Sequence, residues 1–318
     1  MSDRVAFRAR LGRRAAACLF GVATLGCAAQ AQATRAPAAP AISPLVTTEW
    51  LQAELARPDL VIVQLTSPGE FEKGHIPGSV AVDFNNDFVA PPVEGGLRVE
   101  LPDPSALQGV LRAKGVTPTS RIVVVYEQQL AFTRAGRAFF TLEWAGLAGQ
   151  VAVLDGGLPK WVREGRPTAT GPAKSVAASQ LVIHPEPMRR ATKDEVRAAV
   201  GSATTRIVDA RDTVFYQDLR DNNMPRGGHI ASAVSLPYST VTNPDGTLRS
   251  REELAQLVAT AGIGADQKLV SYCHIGMQAS WMYFTLRYLG RDVRMFDGSF
   301  DEWSRDPAMP VEGAKPRP

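Results

Sequence analysis

Cysteine is almost absent from this chain, with three in 318 residues. Two of them, Cys18 and Cys27, fall in an N-terminal stretch with the marks of a cleaved signal. The processed chain would therefore keep Cys273 alone, which excludes an intrachain disulfide and makes a lone thiol the feature to explain. Histidine is nearly as scarce, at four, and no His/Cys spacing suits a zinc site, so no metal and no cofactor is expected. No apolar run reaches the roughly 20 residues that span a bilayer, so no stable membrane span is expected. Beyond the N-terminus there is no basic tract of the kind that binds nucleic acid or anionic lipid.

The N-terminus itself reads as an export signal over residues 1–33. Arg4, Arg8, Arg10, Arg13 and Arg14 form a basic region, Ala15 to Ala29 is apolar with small residues, and Ala29-Gln30-Ala31 and Ala31-Gln32-Ala33 offer cleavage sites. An exported, periplasmic protein is the expectation. Lipid attachment at Cys27 is the alternative, and Arg13-Arg14 leaves a twin-arginine route open. The segment holds five Arg and one Asp, so the formal +3 of the whole chain becomes about −1 once it is removed.

What is present is a duplication. Gly74-His75-Ile76-Pro77-Gly78-Ser79-Val80 is echoed by Gly228-His229-Ile230-Ala231-Ser232-Ala233-Val234. Ile122 to Tyr126 is echoed by Leu269 to Tyr272, and Val153-Leu154-Asp155-Gly156-Gly157 before Trp161 by Met295-Phe296-Asp297-Gly298-Ser299 before Trp303. The order is the same and the offset stays near 150 residues, a repeat of domain size. Each half alternates β-branched runs with amphipathic stretches. In the second, Arg206–Ala210, Lys268–Tyr272 and Val293–Phe296 predict strands, and 251–261 and 277–289 predict helices. That alternation predicts an α/β fold with a mostly parallel sheet flanked by helices. Boundaries are drawn at 42–170 for the first domain, 171–188 for a linker whose Ala/Pro/Gly/Ser bias begins at Pro167, and 189–310 for the second domain.

Cys273 ends a predicted strand and turns through Gly276 into a predicted helix. Unpaired amides and the positive helix end favour a charged sulfur there, and the amides of Ile275, Gly276, Met277 and Gln278 could cradle an anion. Gly276 permits a backbone angle closed to other residues. Trp161 and Trp303 read as core anchors. Trp281 and Tyr283 read as core or cleft lining, and Asp212, Asp218 and Asp221 as solvated loop acids.

Taken in order and doubled, the His-Ile-Pro-Gly run at His75, the Cys-x-x-Gly-x-x-Ala pattern from Cys273 to Ala279 and the Asp-Gly-Ser-Phe-x-x-Trp run from Asp297 resemble the two-domain rhodanese-like sulfurtransferases, the thiosulfate and 3-mercaptopyruvate enzymes. The resemblance covers about 46–303. It implies two tandem rhodanese-like domains, the first without a catalytic cysteine. It also implies sulfane sulfur carried through a Cys273 persulfide from a small anionic donor to a thiophilic acceptor, cyanide or a thiol. Arg211 matches a donor-binding arginine, with a structural ion pair as the other reading; a kinetic effect larger than a stability effect is expected on its loss. His75 matches a first-domain histidine or buttresses its turn, and its echo His229 reads as structural. His274 contacts substrate or faces solvent. Mercaptopyruvate enzymes tend to carry Gly then Ser after the cysteine, and thiosulfate enzymes Arg then Lys. This chain has His274 and Ile275, and thiosulfate is the preferred donor because amides and Arg211 suffice for a small dianion. Two rivals differ in kind. A phosphatase would need an arginine where Ala279 stands, and a non-catalytic sulfane-sulfur carrier or redox-sensing module is separable only by turnover.

Overall fold

The computed structural model describes residues 41–128, 131–221 and 223–315. The segment 1–33 read as an export signal, with Cys18 and Cys27, lies outside the described residues, as do Gln129 and Leu130 of the first-half loop.

The first half runs β1 (Leu45–Val46), α1 (Thr48–Glu54), β2 (Leu60–Leu65), α2 (Pro68–Lys73), β3 (Val80–Val82), α3 (Phe84–Asp87), α4 (Pro104–Ala113), β4 (Arg121–Tyr126), α5 (Phe132–Leu142), β5 (Val151–Leu154) and α6 (Gly157–Arg163). The second runs β6 (Arg190–Ala191), α7 (Lys193–Ala199), β7 (Thr205–Asp209), α8 (Thr213–Tyr216), β8 (His229–Ile230), β9 (Val234–Ser235), α9 (Arg251–Thr260), β10 (Lys268–Tyr272), α10 (Met277–Tyr288), β11 (Val293–Phe296), α11 (Ser299–Arg305) and β12 (Val311–Glu312). The repeat read from the sequence is a repeat of topology. The sheets are ordered β1-β5-β4-β2-β3 and β6-β11-β10-β7-β9, and every pairing within them is parallel.

The central strands explain why these runs are continuous rather than alternating. Ile122 to Tyr126 are 0–1% exposed, because helices cover both faces of a parallel sheet. Equivalent anchors close both halves. Trp161 and Trp303 are 0% exposed and donate from Nε1 to the carbonyls of Pro167 (2.7 Å) and Pro310 (3.0 Å). Capping boxes at Thr192/Glu195 and Ser250/Glu253 start α7 and α9.

The halves share one core through α5 and α10. Phe139 meets Phe284 edge-on at 5.1 Å, and Phe140 meets Tyr283 at 5.2 Å. Gly136 makes this approach possible, since a Cβ there would lie 2.7 Å from the Trp281 Cα. Trp281 and Tyr283 are thus core residues, 1% and 0% exposed. The connecting segment is strapped down rather than free: Ser179 N donates to Arg112 O (3.0 Å), His184 N to Ala145 O (3.1 Å) and Glu186 N to Trp144 O (2.7 Å). No helix among the described residues is long and apolar enough to cross a membrane.

Candidate active site

Sheet order decides what surrounds the thiol. The register of β7 and β10 sets Asp209 beside Tyr272, so Arg211 and Cys273 leave adjacent strands at their carboxyl ends, the usual location of sites in such sheets. In the first half the same register pairs Leu65 with Tyr126. An apolar residue therefore replaces the acid, and no Asp–Arg couple forms there.

Cys273, the free thiol among the described residues, is followed by a three-residue turn into α10, whose N-cap, Gly276, has φ +86°. The turn is held from below by the start of α11. Cys273 N donates to Ser299 Oγ (3.2 Å), Phe300 N to Cys273 O (2.9 Å) and Asp301 N to His274 O (2.9 Å). Ser271 Oγ ties β10 to Ala279 O at 3.1 Å. Among the described residues no protein group accepts from the amides of His274, Ile275, Gly276, Met277 or Gln278. Five free donors at the head of a 12-residue helix make a ready environment for negative charge.

The sulfur is only 1% exposed, yet it borders a cavity of about 440 Å³. His274, Ile275, Met277 and Gln278 form one wall with it. Phe132 and Thr133 from the first half and Tyr238 close the other. Gly276 does not line this space. His274 meets Phe215 edge-on at 4.7 Å, and its Nδ1 lies 3.3 Å from Gln278 Oε1. Burial, then the charge of Arg211, lowers its pKa, so the imidazole is neutral at neutral pH. With Ile275 it also borders an open groove of about 890 Å³ that reaches Arg98, Met224 and Arg305.

Arg211 takes the ion-pair reading. It is 0% exposed, with Nη2 2.6 Å from Asp209 Oδ2, Nε 3.0 Å from Asp209 Oδ1 and Nη2 2.8 Å from Gly228 O. Phe300 lies under the guanidinium at 4.4 Å. Burial alone would lower its pKa, but Asp209 and then Tyr272 raise it above the ordinary value, and a charged Cys273 adds to this. Arg211 is therefore behind the loop rather than in the cavity wall, and direct donor contact gives way to a positive charge acting through the loop. Its Nη1 is buried without a partner.

The first-domain histidine is not brought to the thiol. His75 stacks on Phe71 at 3.8 Å, its Nδ1 lies 2.8 Å from Phe71 O, and its backbone pairs with Ala169. His229 repeats the device on Tyr216, at 3.7 Å and 2.8 Å. Both buttress turns, so His75 drops out of the substrate-binding set. Asp212 stands at the N-cap position of α8 without a side-chain capping bond, and its carboxylate accepts instead from Ser239 Oγ at 2.7 Å. Among the described residues no group of His, Cys, Asp or Glu is placed to hold a metal ion.

A model of the rhodanese-like domain matches residues 47–164 and again 192–306. The chain belongs to the rhodanese-like family. A relative from Mycolicibacterium smegmatis, named "Putative thiosulfate sulfurtransferase", is 31% identical and aligns over 84% of this chain and 97% of its own. The sulfur carrier protein TtuD of Thermus thermophilus is 29% identical over 84% of this chain and 95% of its own. Among solved structures, SseA from Escherichia coli, described as a 3-mercaptopyruvate sulfotransferase, superposes with a TM-score of 0.70 at 26% identity, covering 81% of this chain and 99% of that one.

In this rhodanese-like chain both halves contribute site residues beyond the cysteine loop. Phe132 and Thr133 belong to the first-half loop that stands where the second half has its cysteine loop, a position that implies a wall of the cleft, whereas nothing in the sequence marks Tyr238. Arg137 pairs with Asp297 across 160 positions, a partnership no local pattern signals. Next to that pair, burial, then the Asp297 charge, raises the Glu100 carboxyl from an ordinary value of 4.5 to about 7. Because the folded value is the higher one, the stability this group contributes is complete below pH 4.5 and is lost as pH rises to about 7. The rise from 4.5 to about 7 caps the effect near ~3 kcal/mol, which partial exposure reduces to about 1–2 kcal/mol. Glu100→Gln is expected to melt with the parent at pH 4.5 and roughly 3–6 °C higher at pH 8. Calorimetry at the two pH values checks this; equal melting gaps at both would refute it.

Proposed function

We propose that the chain, a rhodanese-like sulfurtransferase, moves sulfane sulfur from thiosulfate through a persulfide on Cys273 to a small thiophilic acceptor. The observation that carries this reading is a lone thiol at a helix head, ringed by five amides without acceptors, on a cavity that both halves build.

The chemistry needs no bound metal. Cys273 Sγ, as thiolate, attacks the outer sulfur of thiosulfate; the Sγ–S bond forms, the S–S bond of the donor breaks, and its electron pair leaves with sulfite. The acceptor, cyanide or a thiolate, then attacks the outer sulfur of the persulfide. It departs as thiocyanate or as a new persulfide, and the Cys273 thiolate returns. Negative charge stays near the helix head throughout, so fixed amide dipoles and the Arg211 charge behind them favour every species on the path. Neutral His274 has a single ring N–H, which Gln278 Oε1 at 3.3 Å from Nδ1 engages, so the sulfonate oxygens are left to the turn amides. 3-Mercaptopyruvate is the competing donor. No charged side chain among the described residues lines the cavity to fix its carboxylate, and this favours the compact inorganic dianion.

Incubation with thiosulfate is expected to add one sulfur atom to the intact mass, mapped to Cys273. The same assay with 3-mercaptopyruvate ranks the donors; labelling by mercaptopyruvate alone would overturn the choice. The resemblance to a sulfur carrier supplies a second reading, in which sulfur is stored and handed on. A sulfur only 1% exposed suits small reactants rather than a partner protein. Multiple turnovers with thiosulfate and cyanide, against stoichiometric labelling only, separate the two. Export to the periplasm belongs to the same proposal, and fractionation of cells expressing the full chain tests it.

A further inference from the structure

The half without a thiol contributes more than a wall. Arg137 on α5 and Asp297 after β11 are each 0% exposed and belong to different halves. Arg137 Nη1 donates to Asp297 Oδ1, Nη2 lies 3.3 Å from Oδ2, and Oδ2 also accepts from Leu101 N at 3.0 Å. So two groups of the first half grip one carboxylate of the second. That carboxylate abuts the reactive turn. A Cβ placed on Gly276 would lie 3.0 Å from Arg137 Nη1, 3.1 Å from Asp297 O and 3.2 Å from Asp297 Oδ1. Two residues beyond Asp297, Ser299 holds the other end of the turn through Cys273 N.

The arrangement is one-sided. The matching acid of the first half, Asp155, also accepts an amide from the opposite half, Leu248 N at 2.9 Å, but its cation is Lys160 of its own helix at 3.2 Å. Of these two matching acids, only Asp297 takes its cation from the opposite half. A fully buried ion pair is a weak source of net stability, because desolvation offsets most of the attraction; what it fixes well is geometry.

We propose that Arg137 is a positioning residue: through Asp297 it holds the Gly276 backbone, and with it the amides around the Cys273 sulfur. This would give the half that lost its nucleophile a part in the chemistry. The inference rests on Cys273 being the reacting sulfur, but not on the identity of the donor.

The test compares Arg137→Met, Arg137→Lys, Asp297→Asn and the Arg137→Met/Asp297→Asn pair with the parent. Three readouts are taken: the pH profile of Cys273 alkylation by iodoacetamide, single-turnover persulfide formation from thiosulfate, and melting temperature. Arg137→Met is expected to slow persulfide formation at saturating thiosulfate about tenfold or more, with half-saturation changed less than about twofold. It should also raise the midpoint of the alkylation profile by about half a pH unit. Asp297→Asn should match it, the pair should be no worse than either alone, and Arg137→Lys should recover part of the rate. A lower melting temperature with parental alkylation and persulfide rates would make the pair merely structural and overturn the proposal. Should Arg137→Met fail to fold, Gly276→Ala moves the same backbone with the pair intact; parental reactivity in that variant would equally overturn it. A parent protein that alkylates at Cys273 but takes no sulfur from thiosulfate would sink the donor assignment alone.

Discussion

Cys273→Ser is expected to bring sulfur transfer down to the uncatalysed background while the protein melts within a few degrees of the parent. An alcohol oxygen at that position is protonated at any working pH, is a poor nucleophile toward sulfane sulfur and forms no persulfide. The cost to folding is small because the replacement is nearly isosteric. Its hydroxyl replaces a thiol that is 1% exposed, and one partly satisfied buried hydroxyl costs about 1–2 kcal/mol. Sulfite release from thiosulfate, thiocyanate formation with cyanide and intact mass after donor treatment should all fall together. Turnover retained in a well-folded Cys273→Ser protein would remove the nucleophile from the mechanism.

Arg211→Ala is expected to cause a large loss of stability. It strands Asp209, which is 0% exposed, with the Tyr272 hydroxyl at 2.5 Å as its remaining side-chain donor. Breaking a buried pair by removing one partner costs about 3–5 kcal/mol, because the charge left behind is unpaired. On a protein of this size that is a fall in melting temperature of roughly 10 °C or more. Asp209→Asn with Arg211→Met, which removes both charges, should cost less than Arg211→Ala alone. A melting curve unchanged in Arg211→Ala, with a higher half-saturation for thiosulfate, would restore this arginine to direct donor binding. The sequence gives the opposite expectation, kinetics over stability, because a strand-end arginine looks the same whether it faces a cavity or an acid two residues back.

The same limit explains His75. The His-Ile-Pro-Gly run marks the family, but whether its imidazole reaches a reacting atom depends on where the turn docks. It docks against Phe71 and Ala169, in the half without the thiol. The site also goes beyond its sequence reading in composition: Tyr238 joins Phe132 and Thr133 of the first-half loop in one wall of the cavity, and the turn is braced by Ser299 and Asp297. Asp297 and Ser299 were legible as a recurring motif, but not as the template of the turn, since their partners lie 26 to 196 positions away. The three strands and two helices predicted in the second half, by contrast, end within a residue or so of their predicted limits. Their signal is local: β-branched runs, capping residues and the glycine that opens α10.

By itself, then, the sequence determined the duplicated α/β architecture and the family, and singled out Cys273 as the candidate sulfur. These follow from periodicity, turn chemistry and the scarcity of cysteine, all of which act over a few residues at a time. Tertiary structure alone decided that Arg211 is spent on Asp209, that His75 is remote, and that Arg137 of the thiol-free half reaches the reactive turn. Charges find partners across a packed core according to which strands are neighbours and how two helices cross, and neither is written in any short stretch of chain.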